Sequence, residues 1–138
     1  MRVELFQGLN ETPALDLAIR GWAEIVEKGF GDGALNAYPS LNAFVGFAKN
    51  GRDEIPAGVV TFEHDTSLKR VWLFQAYVLP EFRGIGVYKA LWTALVGYSA
   101  EAGAKSVQFG THPKNAAMRA VAQRTGCAEK TIVLRFDL

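Results

Sequence analysis

The chain has 138 residues, 49% of them apolar and 21% charged, with a formal net charge of +1; that suits one folded domain over residues 1–138 and argues against disorder. A charge this close to zero gives no general field for nucleic acid or an anionic membrane, so neither is an expected partner. One cysteine, Cys127, and two histidines, His64 and His112, offer neither an internal disulfide nor a His/Cys metal set, which fits a reducing, cytoplasmic setting and no metal.

Met1-Arg2-Val3-Glu4-Leu5 carries an early acid and no long apolar run, so neither a signal peptide nor a membrane span is read there. Arg2–Phe6 reads as a first strand. Thr12-Pro13 reads as a helix start, a hydroxyl N-cap followed by proline. Leu15, Ala18, Ile19, Trp22, Ile25 and Val26 then recur at helical spacing up to Lys28-Gly29. Phe30 to Leu41 is rich in Gly, Asn and Pro and reads as a loop with room for a short helical turn.

Ala43–Ala48, Ala57–Glu63 and Val71–Val78 read as three strands of an antiparallel meander, separated by turns at Lys49–Pro56, around Asn50-Gly51, and at His64–Lys69. Val71–Val78 is almost continuously apolar, as a strand covered on both faces should be. The period then changes. Val87, Leu91, Leu95, Tyr98 and Ala102 lie along one helical face, with Gly103 closing the helix. Ser106–Gly110 reads as a strand reached by a helical crossover. Asn115–Thr125 reads as a helix turning Met118, Val121 and Ala122 inward and stopped by Gly126, and Thr131–Phe136 as a last strand. The expected fold class is α/β: a mixed, mostly antiparallel sheet with helices on both faces. A terminal strand at a sheet edge leaves a homodimer open.

Leu79-Pro80-Glu81-Phe82-Arg83-Gly84-Ile85-Gly86-Val87-Tyr88 joins the apolar strand to the amphipathic helix. A helix start leaves about four N–H groups without partners and adds partial positive charge from the dipole. Gly84 and Gly86 let the backbone close on an anion, and Arg83 adds fixed charge, so the segment suits a pyrophosphate. Gly-x-Gly alone equally serves a plain strand-to-helix turn. It is neither a Walker loop, since no Gly-Lys-Ser/Thr follows, nor a dinucleotide fingerprint, since Lys89 stands where a third glycine is required.

In its surroundings, the stretch Val78-x-Pro80-Glu81-Phe82-Arg83-Gly84-Ile85-Gly86-Val87 resembles the acyl-CoA-binding motif of the GCN5-related N-acetyltransferase (GNAT) superfamily, Arg/Gln-x-x-Gly-x-Gly/Ala. Asn115-Ala116-Ala117-Met118 with Arg124-Thr125-Gly126-Cys127 is similar to that family's second motif. The specific likeness spans about Val71 to Cys127. It implies a GNAT-type fold and acetyl-CoA, or another acyl-CoA, as cosubstrate. It implies that Ala76, Tyr77 and Val78 offer backbone groups to the pantetheine arm. Arg83, Gly84, Ile85, Gly86, Val87, Tyr88 and Lys89 are implied to hold the pyrophosphate, and Asn115 to bond the arm. The strand ending at Val78 is implied to splay from Ser106–Gly110.

Two positions depart from the family pattern. Tyr88 replaces the last small residue of the first motif and is expected either beside the cofactor or inward with Trp92. Ala122 stands where many members carry the tyrosine that protonates the departing thiolate. A general acid contributes about 10²–10⁴-fold, so its loss slows the transfer without forbidding it. The Val78 N–H is the expected oxyanion donor. His112 and Glu63 are the candidate bases, each equally readable as a loop or strand-end residue, while Gln75 cannot act as a base. Phe30, Tyr38, Phe44 and Phe47 are read as pocket wall or as core. Lys89 and Lys114 are candidates for the ribose phosphate, and Cys127 for a small apolar filler.

The expected function is transfer of an acyl group, with acetyl the expected one, to a primary amine on a small molecule or peptide by direct attack in a ternary complex. The alternatives are a CoA-binding regulatory module that has lost catalysis, and a structural domain that binds no cofactor.

Overall fold

The structure is a computed structural model that describes residues 1–31 and 38–138. The short helical turn expected between Phe30 and Leu41 falls largely on residues 32–37 and lies outside the described residues. Five strands form one sheet in the order β1 (Arg2–Gln7), β2 (Asn42–Asn50), β3 (Asp53–Asp65), β4 (Arg70–Val78) and β5 (Ser106–Gln108). The first four are antiparallel and β5 runs parallel to β4. Helices α1 (Pro13–Glu27), α2 (Val87–Glu101) and α3 (Ala116–Arg124) complete the described elements. The mixed, mostly antiparallel α/β architecture read from the sequence is therefore the one observed. Among the described residues no helix is long and apolar enough to cross a membrane.

Strand alternation gives the sheet two cores. Ala43, Val45, Phe47 and Val59 meet Ala14, Leu17 and Ala18 of α1 on one face. Phe44, Val60, Phe62 and Val71 meet Val87, Leu91 and Leu95 of α2 on the other. Phe44 and Phe47 thus belong to the core, and Tyr38 is exposed against the edge of Phe74. Val87, Leu91 and Leu95 of the α2 stripe are buried, but Ser99 continues it and Ala102 is the exposed C-cap; the buried face of α1 is Ala14, Leu17, Ala18 and Gly21, with Ile19 and Val26 exposed. The N-cap reading also changes in detail. The Thr12 hydroxyl donates back to the Leu9 carbonyl at 2.7 Å instead of capping α1.

The small face of α1 has a purpose. A Cβ added at Gly21 would lie 2.3 Å from Gln75 Nε2 and 2.7 Å from Tyr77 Cβ. Gln75 is buried and donates from Nε2 to the Ala18 carbonyl at 2.9 Å, tying β4 to α1. Substituting Gly21→Ala is expected to break that fit and cost about 1–3 kcal/mol, as overpacking does, read as a lower thermal midpoint with the far-ultraviolet dichroism at low temperature unchanged.

Three strand expectations change. The turn after β2 is tighter than read: β3 begins at Asp53 and includes Pro56, which is tolerated because the ladder there carries a bulge, Phe47 facing Pro56 and Gly46 facing Gly58. β5 ends at Gln108 and not at Gly110. Thr131–Phe136 forms no strand; it lies without regular structure and exposed.

Candidate active site

The gap that matters opens where β4 and β5 part. Their parallel ladder runs only from Arg70–Ser106 to Trp72–Gln108. Just beyond it β4 carries a bulge: Phe62 faces Leu73 and Thr61 faces Gln75, so Phe74 is the extra residue. A bulge bends its strand and increases local twist, and from there β4 continues to Val78 without a partner on its β5 side. This is why β5 is short. Between the two walls lies a cavity of about 150 Å³, lined by Phe74, Gln75 and Ala76 of β4, Phe109 to Thr111 after β5, Glu24 and Phe30 near the end of α1, and Asn115 of α3.

Backbone alternation decides what β4 shows to that gap. Leu79 N–H donates to Ala57 O at 2.8 Å, so the peptide groups of Leu79 face β3. Those of Val78 face the opposite way, into the gap, and by the same period so do those of Ala76. The peptide groups of Tyr77 are turned to β3 in register with Val59. Of the three residues expected to greet the pantetheine arm, Ala76 and Val78 turn their peptide groups to the gap, and Tyr77 turns its own to β3.

Past Val78 the chain makes a single 3-10 turn, Pro80–Phe82, and reaches Gly84 at φ 80° and Gly86 at φ 93°. Both are left-handed conformations that favour glycine. Arg83 N–H bonds Pro80 O, and the next backbone N–H with an acceptor is Ala90, on Gly86 O. The N–H groups of Gly84, Ile85, Gly86, Val87, Tyr88 and Lys89 have no acceptor among the described residues, and no side chain caps α2. Six unclaimed donors at the positive end of a 15-residue helix form an anion cradle open to solvent, since nothing lies within 4 Å of a Cβ built on Gly84 or Gly86.

Arg83 is placed differently from the sequence reading. Its Nε donates to Val78 O at 2.9 Å and its Nη2 to both carboxylate oxygens of Glu24 at 3.0 and 2.9 Å. Its charge is thus engaged by α1, 59 residues away in sequence, and it works as a strut between the loop, the end of β4 and α1. Lys89 remains exposed on the first turn of α2. Asn115 caps α3: its Oδ1 accepts from Met118 N–H at 3.2 Å, which leaves its Nδ2 as the donor it offers to the cavity it lines.

Tyr88 takes the inward alternative. Its ring stacks on Trp92 with centroids 6.4 Å apart, and its hydroxyl is buried without a partner among the described residues. Burial first, and then the nearby Cys127, push its pKa up to about 12. An unfolded tyrosine titrates near ~10. Between these values the unfolded chain binds fewer protons than the folded one, so stability is full below about 10 and falls as pH climbs towards 12. A spectrophotometric titration should therefore show one tyrosine ionising near 12, and Tyr88→Phe should remove that step.

The two candidate bases are not brought together. Glu63 is exposed and lines a separate depression with His64, Asp65 and Trp72. His112 stacks on Phe30, centroids 5.2 Å apart, and its Nδ1 accepts Lys114 N–H at 3.1 Å. A backbone N–H can only donate, so the neutral ring carries its proton on Nε2 and has no free lone pair for a substrate proton. The sequence reading also missed a feature of Gln75. With Nε2 held by Ala18, its buried Oε1 has no partner among the described residues, and neither has the cross-strand Thr61 hydroxyl. Among the described residues no group of three His, Cys, Asp or Glu side chains converges as a metal site.

Comparison with known proteins fits this geometry. No curated protein matches the chain. Among solved structures, the aminoglycoside acetyltransferase AAC(6')-Iy in complex with the bisubstrate analogue CoA-S-monomethyl-acetylneamine superposes with a TM-score of 0.68 at 23% identity, covering 100% of this chain and 99% of that one. The aminoglycoside acetyltransferase meta-AAC0020, from an uncultured soil metagenomic sample and in complex with sisomicin, gives 0.69 at 19% identity, covering 99% and 95%. A mutant of the BH1408 protein from Bacillus halodurans gives 0.72 at 13% identity, covering 100% and 99%. At these identities the likeness establishes the fold. The model of the acetyltransferase (GNAT) family matches residues 13–127, a span that holds α1, the bulged β4, the amide cradle and α3; the chain belongs to the GNAT acetyltransferase family.

Proposed function

We propose that the protein is an N-acyltransferase that moves an acyl group, acetyl in the first instance, from acyl-CoA to a primary amine on a small molecule. The observation that carries this reading is the run of unclaimed amides at the start of α2, which follows directly on the strand whose Ala76 and Val78 peptide groups face the gap. A cosubstrate with a diphosphate at one end and a thioester on a narrow arm at the other matches both halves. The Gly84–Lys89 amides hold the diphosphate. Ala76 and Val78 backbone groups, with Asn115 Nδ2, orient the arm. The Val78 N–H donates to the thioester carbonyl as negative charge develops on its oxygen.

The amine attacks the carbonyl carbon, the C–S bond breaks, and the thiolate leaves with CoA. A thiol pKa near ~8.5 makes sulfur a competent leaving group without help from a side chain at position 122. Among the described residues the one carboxylate lining the gap, Glu24, is held by Arg83, so the amine arrives neutral or loses its proton to water. An amine of ordinary basicity, near ~10.4 for a lysine-like group, then gives a rate that rises with pH across the neutral range. A small amine acceptor is supported by the fold neighbours solved with sisomicin and with an acetylneamine adduct. A cytoplasmic, reducing setting accords with the lone Cys127.

The second reading, a CoA-binding regulator without turnover, is favoured by Ala122 and by the engaged Nδ1 of His112. Release of free thiol from acetyl-CoA with a panel of small amines decides between them. Amine-dependent release supports the transferase, and tight acetyl-CoA binding with no release above the uncatalysed rate supports the regulator.

A further inference from the structure

Arg83 holds two groups that the site has reason to free. Its Nε takes the carbonyl of Val78 and its Nη2 takes both carboxylate oxygens of Glu24. The Val78 peptide groups face the gap, and Glu24 is the one carboxylate lining it among the described residues. While Arg83 lies there, the gap holds a capped carbonyl and a neutralised acid. The pair is open to water. The Arg83 and Glu24 side chains are 41% and 28% exposed. An ion pair in such a setting contributes little, because water and salt screen it.

A stronger partner for Arg83 binds next to it. The unclaimed amides begin at Gly84, so an anion seated on them stands beside the residue that carries the guanidinium. A guanidinium forms paired hydrogen bonds with phosphate oxygens as well as with a carboxylate. Glu24 is not stranded when Arg83 leaves. Lys28 Nζ, four residues along the same helix, lies 3.7 Å from its Oε1. The two bases read from the sequence offer nothing comparable, since Glu63 lines a separate depression and His112 has its Nδ1 occupied.

We propose that Glu24 is the proton acceptor for the attacking amine, and that Arg83 keeps it neutralised until a diphosphate occupies the amide cradle. Arg83 then turns from Glu24 and Val78 to that anion. The turn opens the Val78 carbonyl to the arm and the Glu24 carboxylate to the acceptor. This rests on the transferase reading above. The neutral amine, its first proton already lost to water, attacks the thioester carbon. Its nitrogen becomes positively charged and acidic as the C–N bond forms. Glu24 takes one of the two N–H protons, the C–S bond breaks with its electron pair on sulfur, and the thiolate leaves. Glu24 then returns the proton to water.

Glu24→Gln tests this by driving two readouts in opposite directions. Calorimetry should show CoA binding tightened by about two- to fivefold, because Arg83 no longer has to leave a carboxylate. Amine-dependent thiol release from acetyl-CoA should lose about 10²–10⁴-fold in kcat, as removal of a proton acceptor does. In the wild-type protein the Arg83 Nε–H resonance, assigned with Arg83→Lys, should shift with inorganic pyrophosphate as it does with CoA. Unchanged or weaker CoA binding in Glu24→Gln would make the pair a mere strut and overturn the exchange, as would an Arg83 resonance unmoved by saturating CoA. An undiminished kcat would remove Glu24 from the proton transfer and leave the transferase reading standing. Wild-type protein that releases no thiol with any amine would instead sink that reading and the proton role with it, and the CoA affinities and the Arg83 resonance would still decide the exchange.

Discussion

Replacing Gly86 by glutamate should weaken acetyl-CoA binding by at least about 100-fold, or roughly 2.8 kcal/mol at 1.4 kcal/mol per tenfold. Two effects combine. The residue sits at φ 93°, where a side chain strains the backbone by roughly 1–2 kcal/mol and shifts the donors around it. The new carboxylate then stands among the amides that would otherwise hold an anion, and repels the diphosphate. Gly86→Ala separates the two, because open space surrounds the position and only the strain remains. Calorimetry should rank the affinities wild type, alanine, glutamate, with the alanine variant closer to wild type. Equal loss in both variants would place the effect in the backbone alone.

Replacing Val78 by proline should lower kcat by about 10²–10³-fold while acetyl-CoA binding changes far less. Proline removes the one N–H proposed to meet the oxyanion, and loss of such a donor costs that much in comparable sites. The substitution is unusually clean for a strand. The Val78 N–H lies on the unpaired side of β4, so no ladder bond is lost. Tyr77 already has the extended backbone that the residue before proline requires. Should kcat survive with the N–H gone, the carbonyl must be polarised by another group, and Asn115 Nδ2 would be the next to remove.

Much of this is legible in the sequence, and the reasons differ by element. The α2 stripe and the glycine-rich loop were legible because both are local: period 3.6 fixes one, and the need for left-handed residues at a helix start fixes the other. Which β4 peptides face the gap is not legible there, because it depends on the register with β3. The early end of β5 follows from the bulge at Phe74, which leaves no mark in a continuous apolar run. Arg83 reads as a phosphate ligand until Glu24, on another element, claims its Nη2. His112 reads as a base until the N–H of Lys114, two residues on, occupies its Nδ1. Thr131–Phe136 is β-branched and apolar enough to read as a strand, yet it pairs with none of the five strands and stays exposed.

The central claim is that the amides of Gly84 to Lys89 grip a diphosphate, and backbone NMR of the labelled protein titrated with CoA and separately with pantetheine tests it most directly. With CoA, the N–H resonances of Gly84, Ile85 and Gly86 should move strongly downfield as they gain a charged acceptor, and with pantetheine, which lacks the diphosphate, they should stay in place while Ala76 and Val78 respond. Saturable CoA binding that leaves those three loop amides unmoved would contradict the account.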